Sequence, residues 1–342
     1  MTLQSTWFYI WGFLWVMYFM TDGFVLGIGI LYPFIGKNDR EKRLMLNSIG
    51  PVWDGNEVWL ITAGAITFGA FPVVYAVMFT SLYTPLMLIL FSLILRGVSF
   101  EFRSKVESES WRAVWDKIIF ISSLLATILL GVAFANIFRG VMLGEDNVYQ
   151  GNFMSLIHPY GLTGGVLFVL LFVLHGLSWL CVKTDKELMA RCEHLSSRIW
   201  YALTACIVIF LVLTWLYTDL YANYIDNPVL FIFPAGCVCG LVLHHISMKR
   251  KQVFLAWGSS ALIIAGAACF GLGGMFPRLF PSSIHDSYSL TVYNSSSDFN
   301  SLKIMLIVIA IFIPLVLVYQ GYAYRLFSNK MTEEDINTGE AY

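Results

Sequence analysis

Long apolar runs recur along this chain, separated by shorter polar stretches. One helical crossing of a hydrocarbon core about 30 Å thick takes about 20 apolar residues. The runs are continuous rather than alternating, which excludes a transmembrane β-barrel and predicts an all-α polytopic membrane protein with nine transmembrane helices. The predicted helices cover approximately 7–34, 51–75, 76–97, 117–138, 160–182, 198–218, 228–248, 253–275 and 303–327. Together they form one integral-membrane domain, residues 1–342.

The composition supports a membrane protein and argues against nucleic acid as a partner. Apolar residues make up 58% and charged residues 13%, about half the charged share of a soluble domain. A net charge of −1 gives no reason to expect nucleic acid. The six cysteines contain no CxxC pair, and those inside apolar runs are typical small packing residues.

The distribution of Lys and Arg predicts how the helices are oriented. Of 21 Lys and Arg residues, only Arg139, Arg278 and Lys303 fall on one side of the predicted membrane. The rest lie in the other set of loops and in the C-terminal tail, which the positive-inside rule assigns to the cytoplasm. We therefore expect the N-terminus outside and the C-terminus in the cytoplasm. The external segment 276–302 is rich in Pro and Ser and suits either an ordered cap or a plain linker.

Asp22 is the clearest charge inside an apolar run, where a carboxylate costs several kcal/mol unless it is paired. It lies 11 residues before Pro33, roughly 16 Å along the helix. Gly23 and Gly27 form a small-xxx-small face beside it that favours close helix packing. Asp22 is predicted to point into the protein. A buried structural hydrogen bond and a proton-carrying or redox-linked role both remain open.

A second polar cluster opens the second helix. Ser48 is a candidate N-cap and Pro51 suits a first helical turn. Asp54 and Glu57 are three residues apart and share a face, although an acid in the first turn also suits the helix dipole. The cluster is completed by an amide and by two tryptophans that would ordinarily be interfacial anchors, namely Asn56, Trp53 and Trp59.

The histidines argue against haem ligation by this chain. Only His175 lies clearly within an apolar run, and a multi-haem bundle needs several axial ligands on facing helices. We expect His175 to be packed or hydrogen-bonded. No P-loop, HExxH, GxSxG or metal-ligand spacing occurs, so catalysis of a soluble-enzyme type is not predicted.

Several blocks of sequence resemble subunit II of cytochrome bd quinol oxidases. The most specific is Pro51-x-Trp53-Asp54-Gly55-Asn56-x-Val58-Trp59-Leu60-Ile61-Thr62-Ala63-Gly64. The others are Thr21-Asp22-Gly23-Phe24-x-Leu26-Gly27-x-Gly29, Asn38-Asp39-x-Glu41-Lys42-Arg43, Arg96-Gly97-Val98-Ser99-Phe100-Glu101-Phe102-Arg103, Gly131-Val132-Ala133-Phe134-x-Asn136, Gly151-x-Phe153, Pro281-Ser282-Ser283 and Thr332-Glu333-Glu334-Asp335-Ile336. The resemblance therefore covers essentially the whole chain.

The resemblance implies a fold, a complex and a location. The family has two four-helix bundles plus one peripheral helix. Its complex, in the bacterial cytoplasmic (inner) membrane, oxidises quinol and reduces dioxygen to water. Haem b and haem d belong to subunit I, whose Gly-Arg-Gln-Pro-Trp motif is absent here. A small single-helix accessory subunit, membrane lipid and quinone are the further partners implied, and some members hold a structural quinone in subunit II.

The resemblance also implies roles for individual residues. The acids matching Asp22 and Asp54 lie on a proton route from the cytoplasm, and the tryptophan matching Trp59 lies at the mouth of an oxygen tunnel. Some relatives carry another acid at the position of Leu26 here. Depth along the helices adds Asn56 and Glu57 to the proton-route candidates. The remaining matches, Trp53, Arg96, Glu101 and Arg103, are assigned a structural role.

Two other classes of function are compatible with the residues alone. A proton-coupled secondary transporter would also need intramembrane acids, although no pair of interrupted helices in matching positions is visible. A purely structural membrane subunit would need the same helices but no part in turnover for four residues, namely Asp22, Asp54, Glu57 and Trp59.

Overall fold

Helices make up most of the computed structural model, which describes residues 2–331. The α-helices are α1 (Leu3–Thr21), α2 (Gly23–Ile35), α3 (Asp39–Asn47), α4 (Trp53–Ala70), α5 (Pro72–Ser81), α6 (Tyr83–Phe102), α7 (Glu109–Arg139), α8 (Pro159–Lys183), α9 (Lys186–Tyr217), α10 (Tyr221–Asp226), α11 (Ile232–Lys249), α12 (Val253–Met275) and α13 (Phe299–Leu326). The family block at 332–336 and both ends of the predicted 1–342 domain lie outside the described residues.

The first membrane helix is continuous through Asp22. The Asp22 N–H donates to the Tyr18 carbonyl at 2.8 Å, and the Leu26 N–H donates to the Asp22 carbonyl at 2.9 Å. Helices α1 and α2 therefore form one 33-residue span from Leu3 to Ile35, slightly longer than the 7–34 expected. The short polar helix α3 follows it.

The second helix begins later than expected, and its N-cap is different. Helix α4 starts at Trp53, with Val52 at the N-cap and no side-chain cap. Ser48 instead ends α3, where its hydroxyl donates to the Met45 carbonyl at 2.7 Å. The expectation that Ser48 caps the second helix was wrong, because the turn at 49–52 separates it from α4.

The connection between the second and third helices falls at Phe71. Its φ of −135° and ψ of 63° end α4 at Ala70, and Pro72 opens α5. Proline fits that first helical position, because its missing N–H would have no helical partner there. The helix end expected at 75 is therefore five residues too late. Helices α5 and α6 follow each other with a break at Leu82.

Eight helices within residues 2–331 are long and apolar enough to cross a membrane, which makes this a multi-pass membrane protein. Helix α4 is not among them, although its 18 residues would be long enough. Its first turns carry Asp54, Asn56 and Glu57, which lower its hydropathy. The nine crossings expected from the sequence include α4.

Helix α8 lies centrally and packs against α2, α7, α9 and α12. Its contact with α2 is close because glycines face each other: an added Cβ at Gly27 would lie 1.8 Å from the Phe172 carbonyl oxygen. An added Cβ at Gly176 would lie 2.9 Å from the Gly27 carbonyl carbon. Helix α1 packs against α4 and α12, α11 packs against α12, and α13 lies against α1 and α4 with most of its surface exposed.

The segment after α12 is an ordered cap rather than a plain linker. Its strands β1 (Arg278–Phe280) and β2 (Leu290–Thr291) pair antiparallel. The cap is joined to the segment after α7, where the Val141 N–H donates to the Pro281 carbonyl at 3.0 Å. It is also joined to the end of α4, where the Ser297 N–H donates to the Ala70 carbonyl at 2.9 Å.

Candidate functional site

Arg96 on α6 joins the two acids predicted on the first two helices. Its Nη2 lies 3.0 Å from Asp22 Oδ2 and also pairs with Glu57 Oε1. The side chains of Arg96 and Asp22 are fully buried, and that of Glu57 is 23% exposed. We call Asp22, Glu57 and Arg96 the acid–arginine triad. It brings three helices together through one guanidinium group.

The charges of the triad do not balance. If both carboxylates are ionised, one guanidinium faces two negative charges, and an uncompensated charge in a low-dielectric site is costly. One proton on Asp22 or Glu57 makes the triad neutral. Arg96 Nε and Nη1 are buried and have no hydrogen-bond partner among residues 2–331. The triad can therefore hold one proton on a carboxylate, and two nitrogens of the guanidinium group have N–H donors that are not used within residues 2–331.

The amide side chain of Asn56, next to Glu57 of the triad, holds α4 against α1 and α13. Asn56 Nδ2 donates to the Thr21 carbonyl at 2.8 Å, and its Oδ1 accepts from the Tyr324 hydroxyl at 2.8 Å. Asn56 is fully buried between the Thr21 carbonyl and the Tyr324 hydroxyl. This places an amide and a phenol beside the backbone that carries Asp22.

Trp59 is likewise tied to α13. Its Nε1 donates to Gln320 Oε1 at 2.8 Å, and Gln320 Nε2 donates to the Gly55 carbonyl at 2.7 Å. The indole is 1% exposed and meets the Phe13 ring edge to face, with 6.1 Å between ring centroids. The contacts fix the indole between three helices.

The structure does not bring every predicted residue into the triad. Asp54 is exposed in the first turn of α4 and makes no ion pair with a described residue. Trp53 is half-buried, with its ring edge to face against Phe100 at 5.5 Å between centroids. Glu101 is exposed on the last turn of α6. Asp54 therefore lies at the N-terminal end of α4, close in sequence to Glu57 of the triad, but it is not part of the triad.

Arg103, immediately after α6, forms a separate network that fixes α3. Its Nε donates to Asp116 Oδ1 at 2.6 Å and its Nη2 to Asp39 Oδ1 at 2.8 Å. Arg112 adds a second contact to Asp39 at 2.9 Å. Burial would raise the pKa of Asp39, but hydrogen bonding and attraction to Arg103, with attraction to Arg112, hold that pKa below its usual value. The network fastens α3 to the ends of α6 and α7.

His175 is fully engaged by its neighbours. Its Nδ1 lies 2.7 Å from the Ser260 hydroxyl and its Nε2 lies 2.9 Å from the Met20 carbonyl. Since a carbonyl only accepts, Nε2 carries the proton, and Nδ1 faces the Ser260 hydroxyl, which also donates to the Trp257 carbonyl at 2.7 Å. Protein oxygens lie within 3 Å of both ring nitrogens and leave no room for haem iron there, so His175 does not fit as an axial ligand. Among the described residues, no group of three or more His, Cys, Asp and Glu side chains could hold a metal ion.

Two apolar cavities lie within the described helices. One, of about 30 Å³, is enclosed by aromatic side chains that include Phe19, Phe134 and Phe168. The other, of about 460 Å³, lies between α1, α12 and the segment before α11 and is lined by Tyr9, Phe276 and others. Trp59 lines neither of them.

The part that α13 takes in this site was not predicted from the sequence. Gln320 and Tyr324 are four residues apart and face α4 from the last helix, which is otherwise mostly exposed. A glutamine in an apolar run was the available signal, because an amide in a membrane helix needs a partner. The role of Arg96 as the shared partner of two acids was also missed, since it was assigned only a structural role.

Comparisons with known proteins agree on one family. Residues 3–327 match the family model described as cytochrome bd terminal oxidase subunit II. The chain is 34% identical to cytochrome bd-I ubiquinol oxidase subunit 2 of Escherichia coli strain K12, over 99% of this chain and 98% of that protein. It is 33% identical to cytochrome bd ubiquinol oxidase subunit 2 of Bacillus subtilis strain 168, over 98% of each. A probable cytochrome oxidase subunit 2 of Haemophilus influenzae is 35% identical, over 89% of each.

A solved structure has the same fold. A chain of the bd oxidase from Geobacillus thermodenitrificans aligns with a TM-score of 0.78, covering 96% of this chain and 99% of that chain. The aligned sequences are only 16% identical, so the likeness extends to the fold alone.

Proposed function

The chain belongs to the family of cytochrome bd terminal oxidase subunit II, and we propose that it is the haem-free subunit of the complex, admitting protons and dioxygen to the reaction. It is thus part of a quinol oxidoreductase complex that contains haem and a subunit I. Haem in such a complex supplies electron transfer and dioxygen reduction. We assign haem b and haem d to subunit I, because His175 offers no free nitrogen here.

The proposed topology has nine crossings, with the N-terminus outside and the C-terminus in the cytoplasm of a bacterial inner membrane. The first four crossings are α1–α2, α4, α5–α6 and α7, the next four are α8, α9, α11 and α12, and α13 is peripheral. The pairwise packing of these helices is compatible with two four-helix bundles in one domain. The excess of Lys and Arg on one side supports the orientation.

The acid–arginine triad is the observation that carries the proton proposal. Reduction of dioxygen to water consumes protons, which cannot cross hydrocarbon and need ionisable groups, amides or waters. The triad is neutral with one proton, so that proton can leave and be replaced at the cost of one buried charge. Its position roughly 9 Å before the end of α6 places it within the membrane and close to the proposed cytoplasmic side.

We place Asp54 at the entrance of the route. It precedes Glu57 by three residues, about 4.5 Å of helix rise, and is exposed where Glu57 is only partly so. A carboxylate at this depth would be costly against lipid. The face of α4 with Asp54 and Glu57 is therefore proposed to pack against subunit I, with water between them. Asn56 positions α4 so that Glu57 reaches Arg96.

The oxygen path is proposed at Trp59 by the family resemblance, supported by a rigid indole beside the exposed Phe13 ring. Dioxygen is apolar and partitions into hydrocarbon, so an aromatic opening towards lipid suits its entry. A structural quinone and a small single-helix accessory subunit complete the proposed complex. Neither is assigned contacts on this chain.

The test is to substitute one triad acid and one acid outside it in the assembled complex. Glu57→Gln keeps the shape of the side chain but removes its exchangeable charge, and it should lower quinol-dependent oxygen consumption by about tenfold or more. Glu101→Gln, an exposed acid on the same helix as Arg96, is the matched control. Haem content and co-purification of subunit I are measured for both variants.

The proposal predicts a specific pattern of rate and assembly. Glu57→Gln should retain haem and subunit I but turn over slowly, with proton uptake after an oxygen pulse slowed in parallel. Normal oxygen consumption and proton uptake by an intact Glu57→Gln complex would mean that the triad is structural. Loss of subunit I in this variant alone would assign Glu57 to assembly instead of proton transfer.

A further inference from the structure

A cleft of about 160 Å³, with charged and polar side chains among its walls, lies between the N-terminal half of α9 and the last turns of α11. Its walls include Glu193, Ser196, Trp200, His244 and Lys249. Neither helix contributes a residue to the acid–arginine triad. The cleft is much larger than one water molecule needs, so it has room for a ligand of several atoms.

Helix lengths place this cleft at the level of lipid head groups. Helix α9 has 32 residues, about 48 Å, which exceeds a hydrocarbon core of about 30 Å. Its uncharged run extends from 199 to 217, so the turns before Ile199 extend beyond the hydrocarbon. Trp200 and Tyr201 lie at that boundary, where amphipathic aromatic residues concentrate. Lys249, the last residue of α11, lies at the same depth in the membrane as Trp200, because Lys249 and Trp200 line one cleft.

Buried polar atoms around the cleft lack partners within residues 2–331. Ser196 is fully buried and its Oγ has no hydrogen bond. His244 is 1% exposed; its Nε2 lies 3.0 Å from the Ser178 hydroxyl, but its Nδ1 has no partner. A buried polar atom left without a partner costs about 1–3 kcal/mol. Two such atoms belong to residues that line one cleft, so a bound molecule with hydrogen-bonding groups would satisfy them.

The charges at the cleft are of opposite sign. Glu193 and Lys249 both line it, and neither forms an ion pair with a described side chain. A ligand with one cationic and one anionic group would pair with both. A purely anionic ligand would leave the Glu193 carboxylate facing like charge. Trp200 is fixed as an apolar wall, because its Nε1 donates to the Leu241 carbonyl at 3.0 Å.

We propose that this cleft binds the head group of a zwitterionic phospholipid with a primary ammonium and a phosphate, as in phosphatidylethanolamine. The ammonium pairs with Glu193 and the phosphate with Lys249, and the Ser196 hydroxyl and His244 Nδ1 hydrogen-bond the head-group oxygens. The acyl chains lie along the apolar surfaces of α9 and α11, where Val208 and Val242 are exposed.

The experiment compares lipid retention by the purified oxidase complex. Complexes with Glu193→Gln or Lys249→Met are washed in mild detergent beside the wild type, and retained phospholipids are quantified by mass spectrometry. Glu187→Gln, an exposed acid on the same helix, and Lys251→Met, just after α11, are the charge-matched controls. Haem content and the elution volume verify that each complex is intact.

Wild type and controls should retain phosphatidylethanolamine, and each cleft variant should lose it about tenfold or more. Delipidated wild type should regain it from phosphatidylethanolamine vesicles but not from phosphatidylglycerol vesicles. Preferential retention of phosphatidylglycerol, or equal retention by all variants, would overturn the proposal. If soluble phosphoethanolamine binds the delipidated complex but no phospholipid is retained, the site belongs to a small soluble ligand and not to a membrane lipid.

Discussion

Replacing Arg96 tests whether the acid–arginine triad is held together by charge. Arg96→Met preserves much of the volume of the side chain but removes the positive partner of a fully buried Asp22. Breaking a buried ion pair from one side costs about 3–5 kcal/mol, because the remaining charge is uncompensated. We therefore expect this variant to be among the least stable, with low recovery of the assembled complex.

A second substitution should restore part of that loss. In the Arg96→Met background, Asp22→Asn removes the uncompensated charge and leaves an amide of the same shape. Asp22→Asn alone removes one charge-assisted hydrogen bond at 3.0 Å, worth about 1.5–3 kcal/mol. The double variant should therefore be more stable than Arg96→Met, with a coupling free energy of about 2–3 kcal/mol. Glu57→Gln should restore less, because the Glu57 side chain is 23% exposed.

The assay is reversible denaturant or thermal unfolding of the detergent-solubilised complex, followed by tryptophan fluorescence and haem retention. Arg325→Met, at an exposed arginine in the last turn of α13, controls for the loss of a positive charge. Strictly additive losses in the double variant would refute the reasoning, because independent side chains show no coupling. A stable Arg96→Met complex with full haem content would refute it as well.

Three other changes give expectations that depend on single contacts. Gly27→Ala should destabilise the complex by about 1–3 kcal/mol or more in thermal unfolding, because the new methyl group meets the Phe172 backbone, whereas Gly258→Ala, with open space around it, should be neutral. Since the pKa of Asp39 is held below its usual value, the attachment of α3 should be complete above about pH 4 and weaken below it. The protection of the backbone amides of 39–47 against exchange should therefore fall at low pH, whereas in Asp39→Asn it should be low at every pH. Burial and Arg139 lower the pKa of His158 to about 4, so the start of α8 should lose stability as the pH falls from about 6.5 towards 4, and His158→Gln should remove that dependence in pH-dependent amide exchange.

Hydropathy along the chain predicted most of the helices. The long apolar runs became membrane-length helices, and the ends at 253 and 275 agree with those of α12. The resemblance to the family agrees with the family comparison. The boundary near 75 was less accurate, because Val73 to Tyr75 are as apolar as a continuing helix and only the backbone at Phe71 makes the turn.

The partners of the buried acids could not be predicted, because they lie far away in sequence. Asp22 and Arg96 are 74 residues apart, and Trp59 and Gln320 are 261 apart. Spacing within one helix shows which residues share a face but not which helix that face meets. Asp54 and Glu57 share such a spacing, yet only Glu57 reaches Arg96. The difference arises from where α6 crosses α4.

The low hydropathy of α4 accounts for its dependence on neighbouring protein. A helix with Asp54, Asn56 and Glu57 in its first turns would be unfavourable if lipid surrounded it. Contacts with α1, α6 and α13 satisfy Asn56 and Glu57, through the Thr21 carbonyl, Arg96 and the Tyr324 hydroxyl. Asp54 and the exposed edge of Glu57 remain on the uncovered face.

On the proposed proton route, that uncovered face links assembly to proton transfer. If subunit I covers it, the same contact that shields Asp54 from lipid also encloses the water that connects Asp54 with the triad. A subunit without its partner should then expose α4 to lipid, and it should be lost from the membrane faster than the assembled pair. Pulse-chase measurement of the chain with and without subunit I checks this, with Asp54→Leu as the informative variant. Removing the charge should slow the loss of the unpartnered chain, since a leucine faces lipid without cost. Equal lifetimes for wild type and Asp54→Leu without subunit I would show that the α4 carboxylate does not make the chain dependent on its partner.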